Sequence, residues 1–250
     1  MTKLEHNLVN LQQRIADAAT RAGRNPNEIT LVAVSKTFPA EAVLAAYALG
    51  MRNFGENRAE EAAEKIPLIN QQLQTTALTH HRTIELPTWH LIGHLQSRKV
   101  KDAVALFDSI QSIDSVALAK KLNDRAAALG KKLSILLEVN VSGEASKYGF
   151  APDPRETFVA AVRDIVGLSN LDLQGLMTVA PIVQNPDDAR PHFRALRELR
   201  DQLRIEFPDH PLPHLSMGMT DDFQAAIAEG ATIIRVGRAI FGERTSPGEG

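Results

Sequence analysis

Lys36 stands just past residues 31–34, a short apolar run with β-branched side chains that reads as a strand buried on both faces. Burial lowers the pKa of an ammonium toward that of a nucleophilic amine, and only the neutral amine attacks a carbonyl to form a Schiff base. Lys36 therefore has the place and type of an aldehyde-capturing residue; alone, it also reads as a strand-terminal lysine reaching solvent. Polar groups fall at the ends of other apolar runs: Asn57, His90 with His94, Ser112, Asn140, Ser216 and Arg235, with Met177 among them. Taken singly, Asn57 and Ser112 read equally well as helix N-caps and His90 as a core histidine. Two late loops, Ser216-Met217-Gly218 and Gly237-Arg238, have the composition of turns whose backbone N–H groups hold phosphate. Gly237 stands where a bulky side chain would block that approach. An amine facing a phosphate cradle suits a phosphorylated aldehyde, and pyridoxal 5′-phosphate is the cofactor of that description. Arg235 is then placed to face the pyridine nitrogen. A guanidinium does not give up its proton, so it leaves that nitrogen unprotonated and weakens the ring as an electron sink, which disfavours transamination.

The elements that must position these groups alternate regularly. Leu4, Leu8, Leu11, Ile15 and Ala18 recur at helical spacing and predict an N-terminal helix that stops near Gly23. Strands are predicted over 31–34, 51–54, 90–92, 106–110, 133–141, 171–177, 212–215 and 232–236. Helices are predicted over 40–49, 59–73, 97–105, 115–129, 154–166, 187–207 and 221–228, with a short turn over 239–241. Residues 75–88, polar and carrying His80 and His81, read as a surface insertion before the third strand, away from the strand ends that bear the chemistry. Eight strands each followed by a helix or helical start imply a parallel sheet, and eight units in 250 residues match a single (β/α)8 TIM barrel. A doubly wound open sheet is the alternative topology. The barrel is expected to span residues 1–244, with 245–250 as a disordered tail.

Composition limits the partners. A formal net charge of −2 without a block of like charge gives no surface for nucleic acid or anionic membrane. The absence of cysteine excludes disulfides, thiolate catalysis and thiolate metal sites. No apolar run approaches the roughly 20 residues needed to span a bilayer, and the charged N-terminus is unlike a signal peptide, so the expectation is a cytoplasmic protein and a monomer. His90 and His94 have the spacing of a helical metal pair, but the apolar run and Gly93 put them on a strand and turn, so no metal site is expected.

The runs Val34-Ser35-Lys36-Thr37, Phe54-Gly55-Glu56-Asn57, Trp89-His90-Leu91-Ile92-Gly93-His94-Leu95-Gln96, Gly175-Leu176-Met177, Leu215-Ser216-Met217-Gly218-Met219 and Arg235-Val236-Gly237-Arg238-Ala239-Ile240-Phe241-Gly242 resemble the YggS/PROSC family of pyridoxal phosphate homeostasis proteins. They occur in order along essentially the whole chain. The resemblance implies a fold-type III barrel similar to the N-terminal domain of alanine racemase, with Lys36 as the Schiff-base lysine. It also implies ring contacts from Asn57 and Met177, phosphate contacts from Ser216, Gly218 and Gly237, and Arg235 near the ring nitrogen. Members are described as binding and supplying the cofactor, with apo forms of pyridoxal phosphate enzymes as transient recipients and no established catalytic residue. The alternative is an amino-acid racemase with Lys36 as one base. Racemisation needs proton transfer on both faces of the substrate Cα. Tyr148, after the fifth strand, is the candidate for the second face, and also reads as a loop aromatic over the barrel mouth. Lys147 beside it is a candidate to receive or hand on the aldehyde.

Overall fold

The computed structural model describes residues 1–79 and 83–243. Helix α1 (Lys3–Arg21) starts on a capping box: the Thr2 hydroxyl accepts the Glu5 N–H, and the Glu5 carboxylate accepts the Thr2 N–H. Its apolar face packs against two late helices, α8 (Phe223–Ala228) and α9 (Arg238–Phe241), and the Asn7 side chain donates to the Ile240 carbonyl at 3.0 Å.

The remaining chain alternates strand and helix. The strands are β1 (Thr30–Val34), β2 (Asn53–Glu56), β3 (Thr88–Leu91), β4 (Ser109–Ile113), β5 (Leu133–Glu138), β6 (Leu171–Met177), β7 (His214–Ser216) and β8 (Ile233–Val236). Between them run α2 (Ala40–Ala48), α3 (Ala59–Thr79), α4 (Val100–Leu106), α5 (Val116–Ala128), α6 (Arg155–Val166) and α7 (Arg190–Glu206). Each strand pairs in parallel with the next, and β8 pairs with β1, placing Arg235 opposite Val32. That pairing closes the barrel and removes the open-sheet alternative. Fully buried rings such as Phe54, Trp89, Phe107 and Phe193 fill the layer between strands and helices. A small cluster of Val32, Leu136, Met177 and Ile233 forms a separate apolar layer. The Ser216 hydroxyl of β7 meets the Gln111 side chain of β4, strands that are not neighbours, which they can do only across the barrel interior.

Several predicted segments differ from the structure: β2 lies at Asn53–Glu56 and not 51–54, β5 ends at Glu138 and not 141, β7 starts at His214 and not 212, and two departures are larger. α3 continues to Thr79 and absorbs the first part of the expected insertion, because the Thr76 and Thr79 hydroxyls donate to the carbonyls of Gln72 and Thr75, each at 2.9 Å, so the threonines serve the helix. His80, His81 and the tail over 245–250 lie outside the described residues. β4 begins three residues later than predicted: Leu106 ends α4, and the strand is Ser109–Ile113, buried throughout although three of its five residues are polar. Apolar patterning points to the wrong residues there, since Gln111 is held by His90 and Ser216 and Ser112 by the Gly93 carbonyl.

Candidate cofactor site

The site begins where β1 and β2 end. Ser35 is buried, and its hydroxyl donates to Glu56 Oε1 at 2.7 Å. Lys65, on α3, donates to Glu56 Oε1 at 2.8 Å, to the Ser35 carbonyl at 2.9 Å and to Glu61 Oε1 at 2.7 Å. Those three contacts use all three hydrogens of an ammonium, so Lys65 is a cross-brace and not a second nucleophile. Glu61 Oε1 also accepts the Thr37 N–H at 2.5 Å, and Thr37 holds a left-handed φ of 68°. The residues on either side of Lys36 are thus both tied to one ion-pair network, which fixes where its side chain starts. Burial raises the Glu56 carboxyl pKa, and the Lys65 hydrogen bond and charge oppose that.

A cavity of about 280 Å³ lies at these C-terminal strand ends, lined by Lys36, Asn57, Arg235 and Gly237 among others. A Cβ on Gly237 would sit 3.1 Å from the Val34 carbonyl oxygen, so a side chain there would press on the cavity wall. Gly218 has φ 95°, and a Cβ would come within 2.6 Å of the Ala226 Cβ and 2.9 Å of the Phe223 Cα; glycine is what lets the loop after β7 lie on α8. The Gly218 carbonyl accepts the Arg235 N–H at 3.0 Å, so this turn also holds the backbone of β8. Asn57 is held against the β3 exit, where a Cβ on Gly93 would meet the Asn57 carbonyl oxygen at 2.4 Å. The Asn57 side-chain oxygen is buried with no protein partner among the described residues. Met177 lies in the apolar layer with Val32, Leu136 and Ile233.

Arg235 is buried, donating from Nη1 to Ser216 Oγ at 2.6 Å and from Nη2 to the Thr178 carbonyl at 2.8 Å. Burial pulls its pKa down to about 10, against the opposing charges of Glu138 and Asp222. Glu138, at the end of β5, is pushed up to about 7 by burial; Arg235 opposes that shift and Asp114 adds to it. The Ser216 hydroxyl lies inside the barrel, donating to Gln111 Oε1 at 2.6 Å while accepting from Arg235. Its hydroxyl is therefore shared between the arginine and the glutamine.

Other expected members of the polar ring lie elsewhere. His90 faces inward between Asn53 and Gln111, and burial lowers its pKa to about 4. His94 pairs with Asp114 at 3.0 Å and stacks on Tyr148 with ring centroids 3.8 Å apart. Both line a neighbouring cavity of about 650 Å³ that shares Asn57 with the first. Ser112 lies inside β4 and not beyond its end, donating to the Gly93 carbonyl at 2.7 Å, and Asn140 organises the loop after β5 by accepting from Ser142 and donating to the Glu144 carbonyl. Lys147 pairs with Glu144 at 2.8 Å and reaches the Val179 carbonyl at 3.4 Å. Among the described residues no group of three His, Cys, Asp or Glu side chains is arranged to hold a metal.

Thr178, Gln111, Glu138, Glu56 and Lys65 were not singled out in the sequence. Gln111 and Glu138 left a trace there, as polar residues interrupting or ending apolar runs. Lys65 left only its four-residue spacing from Glu61, since its other partners, Ser35 and Glu56, stand at the ends of β1 and β2.

The residues present suit pyridoxal 5′-phosphate: Lys36, Arg235 and Gly237 border one cavity that Asn57 also lines, and the Asn57 amide oxygen is buried without a protein partner among the described residues. The family model for the N-terminal domain of alanine racemase matches residues 3–245, and a relative in Aquifex aeolicus named pyridoxal phosphate homeostasis protein is 41% identical over 93% of this chain and 94% of its own length. The chain belongs to the family of pyridoxal phosphate homeostasis proteins. PipY of Synechococcus elongatus, solved with pyridoxal phosphate bound, is 37% identical over 91% of this chain and all of its own, with a TM-score of 0.74. Alanine racemase of Clostridium difficile is similar to this homeostasis-family chain in fold alone, at 16% identity and a TM-score of 0.67 over 98% of this chain and 57% of its own.

Proposed function

We propose that this chain binds pyridoxal 5′-phosphate through Lys36 and serves as a carrier or regulator of the cofactor, releasing it to apoenzymes, without turning over an amino acid. The observation that carries this is the convergence of Lys36, Arg235 and Gly237 on one cavity at the C-terminal strand ends. The Lys36 amine would bond the aldehyde, Gly237 would leave room for the phosphate, Gly218 would hold the neighbouring turn, Asn57 would contact the ring from β2, and Met177 would support it from below. Arg235 would meet the pyridine nitrogen as a donor, keeping it unprotonated. When bound, the cofactor would supply a reactive aldehyde and a conjugated ring. The name of the relatives as homeostasis proteins and the likeness to PipY with its bound cofactor support the same reading.

Against racemase chemistry, the Tyr148 ring is stacked on His94 and lines the other cavity, so it is not set against Lys36 as a second base. Among the described residues no helix is long and apolar enough to cross a membrane. The test is absorbance of the purified protein with and without added pyridoxal 5′-phosphate, beside Lys36→Ala. A band present in the parent and lost in the variant supports the reading; its absence from both refutes it. Recovery of activity by an apoenzyme mixed with the loaded protein, with amino-acid racemase assays in parallel, separates carrier from enzyme.

A further inference from the structure

We propose that Gln111 and His90 are positioning residues for Arg235, the far members of a single directed hydrogen-bond chain, Arg235 to Ser216 to Gln111 to His90 to Asn53, that crosses the barrel interior. The links measure 2.6, 2.6, 3.1 and 3.0 Å and join β8, β7, β4, β3 and β2. Donor inventory sets the direction. A guanidinium only donates, so Ser216 Oγ accepts from Arg235, and its own hydrogen goes to Gln111 Oε1. The Gln111 amide then has its N–H₂ toward His90 Nδ1, which must accept. That leaves the imidazole hydrogen on Nε2, donated to Asn53 Oδ1.

Every side chain between the two ends is committed on both sides, so the Ser216 hydroxyl cannot turn without breaking a link. The guanidinium is pinned at its other nitrogen by the Thr178 carbonyl. Burial keeps His90 neutral well below physiological pH, with His214 adding to that effect, so the imidazole keeps one acceptor and one donor. A charged His90 would donate from both nitrogens and reverse the link to Gln111. The groups facing Arg235 are Glu138 and Asp222, and they act on its charge, whereas the chain acts on its position. The consequence for the cofactor rests on the function proposed above: the electronic state of the bound ring would depend on residues that do not touch it.

The first test needs neither cofactor nor variant. Nitrogen-15 NMR of His90 in the parent is expected to show the Nε2–H tautomer; an Nδ1–H tautomer would mean that the Gln111 amide faces the other way and would overturn the direction. The second test follows the Arg235 guanidinium hydrogens in cofactor-free protein. His90→Phe and Gln111→Leu are each expected to speed their exchange with solvent about tenfold, the worth of one net hydrogen bond. His90→Gln, which can still accept from Gln111 and donate to Asn53, is expected to keep the parent rate. Equal rates in all four proteins would overturn the coupling, as would a His90→Gln rate matching His90→Phe. The third test adds pyridoxal 5′-phosphate. A band shifted in His90→Phe and Gln111→Leu, unshifted in His90→Gln and abolished only by Lys36→Ala supports the extension to the ring. An unshifted band in all three sinks that extension. No band in the parent sinks the proposed function instead, leaving the first two tests to decide the chain.

Discussion

Replacing Glu138 by glutamine should make the protein more stable, and increasingly so as the pH rises. Glu138 is half-buried at the end of β5, and burial raises its pKa from 4.5 to about 7 although Arg235 opposes the shift. A carboxyl whose pKa is higher folded than unfolded holds its proton more tightly when folded. Its contribution is therefore fully present below about pH 4.5 and is lost as the pH rises through about 7. At 1.36 kcal/mol per tenfold, the whole difference is about 3 kcal/mol. About 1 kcal/mol of that is already gone at about pH 5.5 and all of it by about pH 8.5, which leaves about 2 kcal/mol to be lost between the two. Glutamine has nearly the shape of the neutral acid and does not titrate. Urea unfolding of cofactor-free parent and Glu138→Gln at the two pH values should show the variant gaining about 2 kcal/mol on the parent. Every other titrating group is common to both proteins and cancels. Parallel stabilities at both pH values would refute the reasoning and show that Glu138 ionises in the fold as it does in water.

Lys65→Met should cost about 3–5 kcal/mol in denaturant unfolding, because it leaves Glu56 buried without its ion pair, and it should also weaken aldehyde capture by Lys36 in a titration followed by absorbance. Lys65→Met combined with Glu56→Leu should restore most of the stability but not the capture. Gly218→Ala should destabilise by about 2–4 kcal/mol, from its positive φ and the approach to Ala226 and Phe223, read as a lowered urea midpoint. Gly237→Val should leave that midpoint closer to the parent's while lowering affinity for pyridoxal 5′-phosphate at least tenfold, since its side chain would enter the cavity beside Val34.

Strand identity was legible in residues 171–177, where Leu171 and Leu173 alternate with Asp172 and Gln174 before the apolar end at Leu176 and Met177, and the structure reproduces it end to end as Leu171–Met177. It failed at β4, where Ser109, Gln111 and Ser112 are buried, the last two on polar partners, and the apolar residues before them belong to a helix and its cap. A polar residue facing inward looks, in one dimension, like a strand end. The same ambiguity placed Ser112 and Asn140 in the ring around the mouth, although each is used to hold a turn.

Period and order were enough for the chain itself to determine eight alternating units, a lysine past the first strand and glycine turns after the last two, because those features are local. Which way the closed barrel turned each polar side chain was not local. Ser216 and Gln111 lie 105 positions apart in sequence and 2.6 Å apart in space, and Arg235 reaches Thr178 across 57 positions. Only closing β8 onto β1 brings Lys36 and Arg235 to one cavity, and only the depth of that closure shifts the pKa of Glu138 and commits the Ser216 hydroxyl to Gln111. Desolvation and hydrogen-bond direction are properties of what surrounds a group in space, and no spacing along the chain records them.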